Sequence, residues 1–163
     1  MPVVGSTQKV YMGIDPGASG GIAVLIGRDA ICKAMPETER DVWEWLGGYG
    51  VSAQCDACAV IEKVSGYIGK QQPGSAMFKF GYSAGMLQAF LIAADIPYEA
   101  VTPQAWQKAL GIPKKGKDES KGQWKNRLKS FAQKLHPKVK VTLAVADALL
   151  IATYCQRKAE GRL

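Results

Sequence analysis

Three carboxylates in this chain sit where carboxylates are costly. Asp15 ends the apolar run "KVYMGID" and is followed by "PGASGG". Glu62 closes another run in "AVIEK", and Asp147 interrupts a third in "LAVADALLIA". Asp is disfavoured in strands, and an acid in apolar surroundings needs a partner. Asp15 is therefore either capped by a neighbour or holds a cation. Acids brought together raise one another's proton affinity and destabilise the fold. A bound divalent cation removes that cost. Mg2+ takes carboxylate oxygens and water, and two such ions about 3.5–4 Å apart hold the attacking and leaving oxygens of a phosphodiester. The same residues also read as unrelated structural acids: a turn cap at Asp15, an edge charge at Glu62 and a helix N-terminal charge at Asp147. Spacing alone leaves both readings open.

The elements that must position these acids follow from apolar periodicity. Residues 9–14 and 21–27 read as strands joined by a Gly/Pro/Ser turn, with a third strand at 30–35 completing a meander. Residues 37–50 read as a helix, acidic at its start and ended by Gly47 and Gly48. Residues 58–64 are nearly all apolar and read as a central strand. Composition makes 65–75 a loop. A long helix is expected over 76–96, a fifth strand over 97–103 and a short helix over 104–111. The lysine-rich run 112–129 leads into a helix carrying Trp124, Leu128, Phe131 and Leu135 on one face. Residues 142–160 form the last helix. A meander followed by alternating strands and helices predicts an α/β fold, a mixed five-stranded sheet with helices on both faces. With no repeat and no linker, residues 1–163 read as one domain.

The net charge is +7, from 21 basic and 14 acidic residues. Such an excess favours a polyanionic partner. Most of the lysines after Glu62 cluster between residues 108 and 140, where Asp118 and Glu119 are the only acids. That imbalance favours phosphate contact over a merely solvated face. The longest apolar stretch, "MLQAFLIAADI" at 86–96, is shorter than the ~18 residues a spanning helix needs. No charged-then-apolar leader opens the chain, so the expected compartment is the cytoplasm. The four cysteines are then expected to stay reduced. Cys55 and Cys58 have C-x-x-C spacing, but no second pair completes a zinc site and no helix follows, so they read as ordinary strand and loop cysteines.

The ordered set of segments resembles the RuvC family of Holliday-junction resolvases, its phage-type branch most closely. "GIDPGASGGIAV" is similar to that family's first strand, turn and second strand. "VIEKVSGYIGKQQPGSAMFKFGYSAG" resembles its second acidic strand, loop and following helix. "VTPQAWQKALGIPKKGK" and "ADALLIATYC" resemble its next strand–helix step and its C-terminal catalytic helix. The resemblance implies an RNase H-like fold, a homodimer, and Mg2+ or Mn2+ as cofactor with two ions per site. It also implies nicking of opposing strands at a four-way DNA junction in a bacterial or phage-infected cell. Asp15 would bridge both ions, Glu62 would hold one and orient the water, and Asp147 would hold the other. Glycines around Asp15 would keep side chains away from ions and phosphate. Lys121 resembles in placement a lysine near the family's active site.

For DNA, the resemblance points to Tyr67 and Ile68 stacking at the open junction centre. Lys70, Lys108, Lys114, Lys115, Lys117 and Lys125 would contact phosphates. Gly81, Gly85, Ala89 and Ala93 form a row of small residues that serves either core packing or a dimer contact. One departure stands out. The family places a fourth ligand one helical turn before Asp147, where this chain has Ala144. Three acids could suffice, or Asp118, Glu119 or His136 could swing in, or an Asp has been replaced. A catalytically silent protein that binds branched DNA is the alternative reading. An actin-like ATPase, which shares the D-x-G turn, needs two large lobes and more chain than this.

Overall fold

The computed structural model describes residues 7–50, 55–65 and 73–163. Strands β1 (Lys9–Asp15), β2 (Gly21–Ile26) and β3 (Asp29–Ala34) form an antiparallel meander. Helix α1 (Glu39–Gly47) follows, then β4 (Asp56–Glu62), helix α2 (Gly74–Ala93) and β5 (Tyr98–Val101). Three helices complete the chain: α3 (Pro103–Ala109), α4 (Lys121–Leu135) and α5 (Leu143–Ala159). The sheet order is β3-β2-β1-β4-β5, with β4 parallel to β1 and β5 parallel to β4. This is the mixed five-stranded sheet that the apolar runs predict. The centre belongs to β1 and not to the 58–64 strand, although β4 is interior and paired on both sides. Among the described residues, no helix is long and apolar enough to cross a membrane.

Alternation along the strands splits the core in two. Val10, Met12 and Ile14 of β1 join Ile22, Val24 and Ile61 in one cluster, covered by α1 and α2 through Val42, Leu46, Leu87 and Leu91. Tyr11 and its neighbours Ala23, Leu25 and Val60 face the other way, into a cluster built from α3, α4 and α5. Helix α5 is the centrepiece of that second layer: eleven consecutive residues, Val145 to Cys155, are buried. A helix apolar on every side is a core helix, and α5 is held between sheet and α4. Leu128 and Ala132 of α4 complete the layer, whereas Leu135, expected on the same face, is 40% exposed.

Close contact between β1 and α5 depends on Gly13. A Cβ at that position would lie 2.1 Å from the Ala152 amide nitrogen and 2.2 Å from the Ala148 carbonyl oxygen. Both are backbone atoms of a buried helix, so neither yields cheaply. Gly13→Ala is therefore expected to destabilise the chain by about 3 kcal/mol or more, measured as the loss of urea-unfolding free energy. A loss below 1 kcal/mol would mean that α5 can lift from β1 freely.

Candidate active site

Sheet register and the side-chain period bring the three acids to one place. In the parallel β1–β4 pair Ile14 is aligned with Ile61, and the next residues are Asp15 and Glu62. Two carboxylates thus end adjacent strands side by side. Asp15 shares parity with Gly13, which faces α5, and Glu62 shares parity with Val60, which packs on the α5 side. Helix α5 supplies the third acid from its second turn, and Asp147 is only 5% exposed. Its Oδ2 is ion-paired with the Lys125 ammonium from α4. Its Oδ1 is buried without a hydrogen-bond partner. Glu62 is also held: the indole N–H of the fully buried Trp106 donates to its Oε2 at 3.0 Å.

Burial and mutual repulsion set the protonation of the cluster. Burial, followed by the charges of Glu62 and Asp147, pushes the Asp15 pKa up to about 8, against a smaller opposing pull from Lys125. Glu62 is also raised, first by burial and then by Asp147, while the Trp106 hydrogen bond and Lys125 pull it down. Burial works against the Lys125 charge, but Asp147, with help from Asp15 and Glu62, outweighs it and raises that pKa. Without another cation, the ammonium is the main compensation for the acids.

Among the described residues, no group of three Asp, Glu, His or Cys side chains closes around a single ion position. A cation, that of Lys125, stands among the acids instead. The donor set nevertheless fits a hard divalent ion. It is all oxygen, which suits Mg2+ or Mn2+ and not a thiophilic metal. The unpartnered Asp147 Oδ1 is an acceptor of the kind such an ion satisfies.

Several expected site residues fall elsewhere. Lys125, expected at phosphates along an exposed run, lies inside the acidic cluster, because α4 packs on α5 and places its side chain over Asp147. Lys121, expected near the acids, is an exposed residue one turn earlier, at the start of α4. Lys114, Lys115 and Lys117 are exposed on an ordered loop. Arg127 holds that loop by donating to the Pro113 and Lys114 carbonyls, each at 3.1 Å, and to both carboxylate oxygens of Glu119. Glu119 is thereby committed to the loop, not to the acids. His136, expected at the surface, is half-buried on Thr153 at 2.8 Å. The Thr153 hydroxyl donates to the Leu149 carbonyl, so His136 Nε2 is the donor to it. Lys108 is exposed in the last turn of α3. Tyr67, Ile68 and Lys70 lie outside the described residues.

The glycines near Asp15 have a backbone reason rather than the expected open space. Gly17 has φ +100°, which disfavours any side chain. A Cβ on Gly20 would lie 2.0 Å from the Asp15 carbonyl, and one on Gly21 would lie 2.7 Å from the Ala144 carbonyl of α5. Trp106 is the participant that sequence patterns missed. Its helical setting marks it as apolar core, and nothing in "TPQAW" tells where its N–H points.

Asp15 makes the stability of the metal-free chain depend on pH. Its pKa is about 8 when folded and near 3.9 when unfolded. Between those values the folded state holds a proton that the unfolded state has released, so stability falls as pH rises. In chelator, the melting temperature should drop by about 5 °C from pH 6 to pH 8, the equivalent of about 2 kcal/mol. Asp15→Asn should flatten the profile and melt higher at pH 8. A wild-type profile that is flat or rising over this range would show Asp15 to be ionised.

No protein-family model matches the sequence, and no curated protein matches it. Solved structures do. RuvC from Thermus thermophilus aligns over 94% of this chain and 97% of its own, with a TM-score of 0.59 at 18% identity. A structure of T. thermophilus RuvC in complex with Holliday junction substrate aligns over the same shares, with a TM-score of 0.60 at 18% identity. At that identity the likeness is one of fold: this chain has the RuvC-like, RNase H-like α/β architecture.

Proposed function

We propose that the chain is a divalent-metal-dependent endonuclease that nicks four-way DNA junctions as a homodimer. The observation that carries this reading is the convergence of Asp15, Glu62 and Asp147 from β1, β4 and α5, with one carboxylate oxygen buried and unpartnered. The RuvC-like fold and the resemblance of the motif set to the phage-type branch support the junction as substrate, in the cytoplasm where such DNA is found. Asp15, Glu62 and Asp147 would hold Mg2+ or Mn2+, two ions by the family's pattern, which would supply Lewis-acid activation of a water and stabilisation of the leaving oxygen. Trp106 fixes the Glu62 carboxylate. Lys125 neutralises Asp147 before substrate arrives and is the nearest ammonium for a scissile phosphate. Lys121, one turn away on the same helix, together with Lys108, Lys114, Lys115 and Lys117, offers charge to the flanking backbone.

Helix α2 supports the dimer. It is strongly apolar, yet only Ala84, Leu87 and Leu91 are buried. Phe78 is 73% exposed, Tyr82 55% and Ile92 67%. Gly81, Gly85, Ala89 and Ala93 are exposed too, so core packing does not explain that row. A second copy of α2 would cover it and give two active sites related by a two-fold axis, as paired nicks require. Asp15→Asn should reduce single-turnover nicking of a synthetic four-way junction by at least ~1,000-fold while leaving junction binding unchanged or tighter. Cleavage at the parental rate would remove Asp15 from the chemistry.

A second reading, a silent binder of branched DNA, is favoured only by Ala144. Residues 144 and 147 share a helix face with Cβ atoms about 5–6 Å apart. If three acids suffice, Ala144→Asp should change the nicking rate by less than about tenfold and lower the metal-free melting temperature through like-charge repulsion. A gain of orders of magnitude from an inactive parent would favour the silent binder.

A further inference from the structure

Cys58 and Cys155 are 97 positions apart, yet their sulfurs lie 3.7 Å from each other. Cys58 is on β4 and packs toward the α5 layer, whereas Cys55 packs toward the opposite layer with α1 and α2. The C-x-x-C pair is thus split across the sheet, and the folded chain pairs Cys58 with a cysteine of α5 instead. No disulfide joins Cys58 to Cys155 in the structure. Cys155 also approaches the Cys58 carbonyl oxygen at 3.6 Å. The two sulfurs are inequivalent. The hydrogen bond between the two sulfurs lowers the Cys58 pKa, with help from Lys9 and against burial, Asp56 and Glu99. The same hydrogen bond, followed by burial, pushes the Cys155 thiol up. Cys58 is therefore the more readily ionised of the two sulfurs. A cavity of about 370 Å³ opens onto both cysteines, rimmed by Tyr98, Glu99 and Lys158. The Lys158 ammonium is ion-paired with Glu99 at 2.6 Å, so the two charges at the entrance offset each other.

We propose that Cys58 and Cys155 form a redox-active dithiol that a peroxide converts to an intramolecular disulfide joining β4 to α5. The Cys58 thiolate attacks one peroxide oxygen, the O–O bond breaks, and the departing hydroxide takes up a proton as water. The sulfenic acid at Cys58 is then attacked by the Cys155 sulfur, which gives up its proton as the S–O bond breaks and a second water leaves. The balance is two thiols and one hydrogen peroxide to one disulfide and two waters. The sulfurs close from 3.7 Å to about 2.05 Å, a shift shared by two side chains. The bond would tie the strand ending at Glu62 to the helix carrying Asp147. It does not depend on the nuclease reading.

The test treats the reduced full chain with hydrogen peroxide. The expected product has lost about 2 Da, keeps two of its four thiols and yields a Cys58–Cys155 cross-linked peptide. Its melting temperature rises by roughly 5–15 °C, and dithiothreitol reverses all four changes. In Cys155→Ser, Cys58 should stop at sulfenic acid and be trapped by dimedone. The proposal is overturned by a disulfide containing Cys55 or Cys32. It is equally overturned by sulfinic acid at Cys58 without a cross-link, by a melting temperature that is unchanged or lower, or by no dimedone adduct at Cys58 in the variant.

Discussion

Everything in this molecule answers to the cost of holding three carboxylates in one half-buried place. Repulsion and desolvation act together on them, and Asp15 shows the result in a pKa of about 8. One positive charge, Lys125, offsets part of that cost. One indole N–H, from Trp106, orients a second acid. Neither group is adjacent in sequence to what it serves. The rest of the α3–α4–α5 layer can be viewed as the scaffold that delivers those two groups.

Helix α5 transmits that constraint to the sheet. It is buried along most of its length, so its register against β1 cannot slide without opening the core. The missing side chains of Gly13 and Gly21 let the helix backbone approach the strands closely enough to bring Asp147 beside Asp15. The same packing sets Cys155 against Cys58. Site geometry and thiol geometry are therefore two readouts of one helix–sheet contact.

The two faces of the sheet have different tasks. One face and its helices α3 to α5 hold the acids and Lys125, and Arg127 and Glu119 keep the loop before α4 in shape. The other face, under α1 and α2, leaves large apolar side chains of α2 in solvent. Exposed apolar surface of this kind on a chain with a net charge of +7 marks an interaction surface more than a solvated one. Under the proposed function, charge for DNA on one side and an apolar helix for a second subunit on the other would keep the two contacts from competing.

Most of the element order was legible in the sequence, because burial on one or both faces writes its period into the chain. The strands at 9–14, 21–27 and 30–35 and the helix at 142–160 stand out as apolar runs bounded by turn residues, and their ends differ from the structure by only a residue or two. The three acids were legible for the same reason, as charges breaking apolar runs. What periodicity cannot encode is which distant residue meets which. Lys125 looked like one lysine among many, and only the packing of α4 on α5 made it the counter-ion of Asp147. Trp106 drew no reading of its own, Glu119 read as one possible extra ligand, and Cys155 as an isolated thiol. Each acquired its partner through long-range packing, where direction and distance are decided by the backbone of another element. The sequence by itself determined the layers and the costly charges; the tertiary structure decided what compensates them.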